Sequence, residues 1–173
     1  MNSIDRIETI ETYKKEHREL LDIVTPLADI QVQHENVLDG WTIKDIIAHL
    51  AAWNWEIIDE AGRVLKNQAI WPLRYEMKEG EDTFNRIEVG KRRDTSWEKV
   101  LKEWDDSFIA QIDGMEKFTE EQWKHQSGNQ TWSDGTPVTI YSLFGYVYEG
   151  EGHEGGHAKQ IQRFLKGTSK IRE

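Results

Sequence analysis

The chain has 173 residues, 37% of them hydrophobic and 31% charged, with a formal net charge of −10 and no cysteine. Such a length and composition predict a single domain over 1–173 with a full core, and the missing cysteines exclude a disulfide scaffold, thiolate ligation and a cysteine nucleophile together. No apolar run reaches the ~18 residues that a membrane helix needs, and the acidic excess argues against a nucleic-acid partner, because Lys91-Arg92-Arg93 is the one dense basic run.

The N-terminal stretch is polar and acidic and lacks the pattern of a signal peptide, so a cytoplasmic home is the expectation. Ile4, Ile7, Ile10, Tyr13, Leu20, Leu21 and Val24 recur mostly at three- and four-residue steps and predict a first helix from about Ser3 to Val24. Pro26 interrupts it, and the segment up to Gly40 reads as a loop with room for a short helical turn. A second helix is predicted from about Thr42 to Lys66. Thr42 and Asp45 form a capping-box pattern, and Ile43, Ile46, Ile47, Leu50 and Trp53 make an apolar stripe bordered by His49.

A long connection follows, with a short helix over 81–92. Its length lets it cross a bundle and set helices two and three parallel. Thr95 with Glu98 reads as another capping box, opening a helix through Val100, Leu101, Trp104, Phe108, Ile109 and Ile112 to Gly114. Thr119 with Gln122 caps a brief turn, and 126–135 reads as a polar, Gly-bearing loop around Trp132. Thr136-Pro137 is expected to start the last helix and Gly167 to stop it. Four main helices with almost no period-two alternation predict an all-α bundle.

Gly145, Gly150, Gly152, Gly155 and Gly156 fall inside that expected last helix, each costing ~1 kcal/mol relative to Ala. Close helix packing, or a kink or loop between Gly150 and Gly156, accounts for them. So does space for a metal, its water and a substrate beside two histidines.

Those histidines sit in His153-Glu154-Gly155-Gly156-His157. Residues four apart share a helix face, so His153 and His157 can grip one cation. The string reads literally as H-E-x-x-H, the zinc-protease signature with Glu as base. That reading needs a downstream ligand, and neither His nor Asp follows His157. The third ligand is therefore sought upstream, at His49. Histidines on facing helices are how bundles build internal metal sites, and three neutral imidazoles with an open position make a catalytic zinc-type site. A carboxylate nearby would serve as base or outer partner. Glu149, four before His153, and Glu56, two turns beyond His49, are the candidates. Trp41 and Trp132 are candidate pocket walls for a small-molecule substrate, while Trp53, Trp97 and Trp104 are expected in the core. His17, His34 and His125 stand in polar contexts and are expected at the surface.

The stretch from Val37 to Trp53, VLDGWTIKDIIAHLAAW, closely resembles the second-helix motif of the DinB/YfiT-like superfamily, with the ClbS/DfsB branch nearest. His153 to Ile161, HEGGHAKQI, is similar to the superfamily's fourth-helix motif. The resemblance implies a four-helix bundle with up-down-down-up topology and a long crossover from helix two to helix three. In metal-binding relatives one His of helix two and two of helix four hold a divalent ion, often zinc or nickel. By position these are His49, His153 and His157. Relatives include thiol-dependent S-transferases and isomerases that use bacillithiol or mycothiol, and the ClbS/DfsB branch that disarms reactive small molecules.

Three function classes stand beside each other. One is a divalent-metal-dependent enzyme that activates water or a small thiol for hydrolysis or S-transfer on a small molecule. Another is a metal-free small-molecule binding or self-protection protein. A non-catalytic helical homodimer is the third reading, since a bundle with an exposed apolar stripe can pair two-fold.

Overall fold

The computed structural model describes residues 6–34, 36–38, 40–70, 80–132, 134–145, 147 and 149–169. Helix α1 (Arg6–Val24) is followed by α2 (Asp29–His34), a helix where a loop with one turn is expected. Strand β1 (Asn36–Leu38) then pairs antiparallel with β2 (Trp41–Thr42) around Gly40, whose φ of +87° suits a residue without a side chain. The two-residue strand sets Trp41 at the mouth of the next helix.

That helix, α3 (Ile43–Leu65), begins as its sequence dictates. The Asp45 amide donates to Thr42 Oγ1 at 3.1 Å, and Asp45 Oδ2 accepts from the Thr42 amide at 3.0 Å. Both orphan donors of the first turn are thereby satisfied. Ile43, Ile46, Ile47 and Leu50 are fully buried, each stabilising the fold by roughly 1.5–3 kcal/mol.

After the connection, whose residues 71–79 lie outside those described, α4 (Gly80–Arg92) lies on α3, and α5 (Trp97–Lys117) forms the most extensive packing partner of α3. The Thr95–Glu98 capping box does not form. Thr95 is used in the turn closing α4, its amide donating to Arg92 O at 3.1 Å, and Ser96 stands at the cap without a side-chain hydrogen bond. The helix also runs through Gly114 to Lys117. The box at Thr119 and Gln122 does form and opens α6 (Glu120–Trp123).

The polar segment after it is a β-hairpin, not a loop. Strand β3 (Gln126–Thr131) pairs with β4 (Pro137–Thr139), and the bend is closed by the Trp132 amide donating to Thr136 O at 2.8 Å. Pro137 therefore belongs to a strand and starts no helix. The expected last helix is two: α7 (Ile140–Phe144), capped by Thr139 with Ser142, and α8 (His153–Ser169). Gly145 ends α7, and Gly150 sits at φ +81° in the intervening turn. The bundle's long helices pair as α3 with α5 and α1 with α8. Among the described residues, no helix is long and apolar enough to cross a membrane.

Candidate metal centre

The packing brings His49 of α3 against the first turn of α8. Ligating nitrogens of His49, His153 and His157 all lie within 4.8 Å of one another, and ring centroids are 4.9–5.3 Å apart. His49 and His157 are buried and His153 half-buried. Among the described residues this is the one group of His and carboxylates arranged to hold a cation.

Each of two rings has an outer partner that fixes its tautomer. Asn85 Oδ1 accepts the indole N–H of Trp53 at 2.7 Å. An indole nitrogen only donates, so that amide atom is oxygen, and the His49 Nδ1 lying 3.0 Å from it carries the proton. His49 Nε2 is left as a lone pair toward the centre. On α8, Gln160 Nε2 reaches Glu149 Oε1 at 3.5 Å, so Gln160 Oε1 faces His157 Nδ1 at 2.8 Å and accepts its proton. His157 Nε2 is then the free lone pair. Outer partners of this kind orient the imidazoles of metal sites.

Burial keeps the rings neutral. It lowers His49 to about 3, with the nearby His157 adding and Asn85 opposing. His157 is lowered to about 4, chiefly by burial, against the Gln160 hydrogen bond and the Glu149 charge. His153 falls well below its ordinary value through burial and the two neighbouring rings. Neutral, buried, oriented imidazoles are the donor set a borderline divalent ion prefers.

The other expected site residues are distributed unevenly. Trp41 meets His49 edge-on, centroids 5.1 Å apart, and walls the cluster. Trp132 instead donates to Ser142 at 2.8 Å and packs in the core around Val138 and Ile140, pinning the hairpin to α7. Glu149 pairs with Arg163 at 2.6 Å and reaches the cluster through Gln160. Glu56 is half-buried on α3. Asn85 has no sequence signal that marks it as an outer partner, whereas Trp53 closes the helix-two motif and Gln160 lies inside the helix-four motif.

One expectation fails here. His17 is not at the surface: it is 4% exposed, stacked on Phe108, with Nδ1 at 2.9 Å from Glu154 Oε2 and Nε2 at 3.2 Å from Asp105. His125 is partly exposed, near Asn67, and the His34 side chain lies outside those described. At Gly152 and Gly155 the glycines serve close packing, one of the two readings given for them, and leave room for a carboxylate. Glu16 accepts from the amides of Gly152 (2.8 Å) and Gly155 (3.1 Å), and a Cβ on Gly155 would stand 2.7 Å from Glu16 Cδ. An anion at a helix N-terminus is favourably placed.

The sequence profile of the DinB superfamily matches residues 12–161. Three solved structures share the fold. An uncharacterised protein from Escherichia coli UTI89 has a TM-score of 0.74 at 10% identity, covering 95% of this chain and 94% of that one. A Streptococcus pneumoniae protein has 0.74 at 10%, covering 96% and 93%. The colibactin self-resistance protein ClbS, in complex with double-stranded DNA, has 0.71 at 12%, covering 93% and 95%. No curated protein matches the chain. The ClbS complex overturns the exclusion of nucleic acid: a protein of this fold does engage a duplex. The physical reason is that net charge is a sum over the whole chain, while a duplex meets only a local potential.

Proposed function

The chain belongs to the DinB superfamily, and from that premise we propose a divalent-metal-dependent enzyme whose ion is held by His49, His153 and His157. The observation that carries this is the convergence of three neutral imidazoles, two buried and one half-buried, with the tautomers of His49 and His157 set by Asn85 and Gln160 so that Nε2 faces the centre. A zinc or nickel ion bound there supplies Lewis acidity to water or to a small thiol, for hydrolysis or S-transfer on a small molecule. The chain's own residues supply the rest. Trp41 screens His49 from water, and the Trp53–Asn85 and Glu149–Gln160 pairs hold two rings in place. Lack of cysteine in the protein fits a thiol that arrives by diffusion.

The test is elemental analysis of untagged protein, wild type and His49→Ala. About one zinc or nickel per chain, lost in the variant, is expected. No metal in wild type after ions are added back would sink the proposal.

A metal-free binding or self-protection protein is the second reading, favoured by the 2.9 Å between His49 Nε2 and His153 Nε2. That is a hydrogen-bond length, and with His49 Nε2 unprotonated, His153 Nε2–H is the donor. Similarity to a self-resistance protein supports the same reading.

A further inference from the structure

Glu149 stands in the turn before α8 with a φ of +53°, and Gly150 follows it at +81°. Two left-handed residues in succession reverse the chain there, a conformation that glycine adopts freely and a glutamate does not. The Glu149 side chain pairs with Arg163, whose Nη2 lies 2.6 Å from Oε2 and 2.9 Å from Oε1. That pair is at the surface, the two side chains being 31% and 61% exposed, and ion pairs so placed add little to stability. Neither the turn nor the ion pair explains a glutamate at this position. A third contact does.

The same Oε1 accepts from Gln160 Nε2 at 3.5 Å. His157, Gln160 and Arg163 follow one another at three-residue steps along α8, so a carboxylate folded back over that face meets the second and third together. Gln160 and His157 are buried, whereas Glu149 and Arg163 are exposed. The series Arg163, Glu149, Gln160, His157 therefore runs from the surface to the three-His centre. A Gln160 amide turned over would present its NH2 to His157 Nδ1, 2.8 Å from the atom that now accepts. Nδ1 would then lose its hydrogen to solvent and Nε2 would gain one, the ring staying neutral. His157 would offer the centre an N–H in place of a lone pair, and an N–H cannot hold a cation.

We propose that Glu149 and Arg163 form a surface latch that selects the tautomer of His157. Closed, the latch holds the Gln160 oxygen on Nδ1 and keeps Nε2 a lone pair toward the centre. Open, it lets the amide turn over and converts Nε2 to N–H. Glu149 is thus a positioning residue that acts through Gln160, and the left-handed backbone at 149 is kept for that carboxylate. Control of a bound ion by the latch rests on the metal reading; control of the tautomer does not.

The experiment is long-range proton–nitrogen NMR of the His157 ring in chelator-treated full-length protein at pH 7, where the ring is neutral. Wild type should show Nδ1–H as the major form. Glu149→Gly, which suits the backbone and removes the carboxylate, should melt no lower than wild type and make Nε2–H the major form. Arg163→Met should move the ratio the same way by less. Glu149→Gln, which keeps an oxygen for Gln160, should restore the wild-type ratio. A wild type with Nε2–H as the major form, or an unchanged ratio in either Glu149→Gly or Arg163→Met, would overturn the latch. A Glu149→Gly protein that melts lower with its tautomer unchanged would show that the glutamate serves the turn alone. If that variant fails to fold, Arg163→Met decides. Metal affinity by chelator competition should fall about 10–100-fold in Glu149→Gly. A tautomer shift in a protein that binds no metal leaves the latch standing without the metal reading, and bound metal with a fixed tautomer does the reverse.

Discussion

His17 Nδ1 stands 2.9 Å from Glu154 Oε2, so the Glu of the H-E-x-x-H string points away from the histidines that flank it. Its other oxygen accepts from Trp104, deep in the bundle. The string thus joins two histidines of one helix face to a structural carboxylate that faces elsewhere. Removing one partner of a buried pair strands the other, at a cost of about 3–5 kcal/mol. His17→Ala should lower stability by that order in urea unfolding, with metal per folded chain unchanged. A variant of wild-type stability that had lost its metal would contradict this assignment.

Asn85 ties His49 to Trp53 through one oxygen. Asn85→Ala frees the His49 ring to turn and to change tautomer. Outer-partner losses of this type lower metal affinity about 10–100-fold. Competition against a chelator of known affinity should show a drop of that size with the fold intact. Trp53→Phe, which leaves Asn85 free to flip, should show a smaller drop in the same direction.

The neutral rings make the metal-free protein acid-sensitive. An imidazole in the unfolded chain titrates near ~6.5. In the fold His157 titrates at about 4 and His49 at about 3. Between those values the unfolded state binds more protons, so stability rises with pH across the window and is lost as pH falls from neutral to acid. His157 alone should account for a loss on the order of 3 kcal/mol by pH 4. Urea midpoints of chelated protein between pH 7 and 4 should fall steadily, and His157→Gln should flatten part of the slope. A profile flat in wild type would refute neutral burial.

Gly155 is required by Glu16, not by a substrate. A methyl group at Gly155 would lie 2.7 Å from Glu16 Cδ and 2.9 Å from Glu151 Cβ. Gly155→Ala should destabilise by roughly 1–3 kcal/mol through overpacking. Combined with Glu16→Ala, the loss should be less than the sum of the two single variants, since the Glu16 part of the clash disappears with the carboxylate and only the Glu151 Cβ contact is left. Strict additivity in thermal unfolding would show that the two residues do not compete for that space.

Local chemistry carried the parts that were legible in the sequence. The Thr42 and Thr119 caps formed as written, and the stripe from Ile43 to Leu50 placed His49 on the inner face of its helix. The hairpin escaped because β3 buries one residue, Ser127, fully, so no apolar alternation marks it. The Gly-rich tail misled for a different reason: a Pro-initiated, Gly-terminated pattern fits one helix, and the positive φ of Glu149 and Gly150 shows the break. His17 could not be read locally at all. Its surroundings come from α5 and α8, and a polar flank in sequence says nothing about a neighbour far along the chain.

The clasp of Glu16 on Gly155 joins residues 139 positions apart. Loops of that span close late, because their entropy must be met before their contacts repay it. The turn bearing His153 and His157 is docked by this very contact, so no half-folded chain presents all three imidazoles together. An ion held at the proposed centre would thereby be captured only after folding is complete, and a nascent or misfolded molecule would have no assembled site with which to scavenge metal from its surroundings.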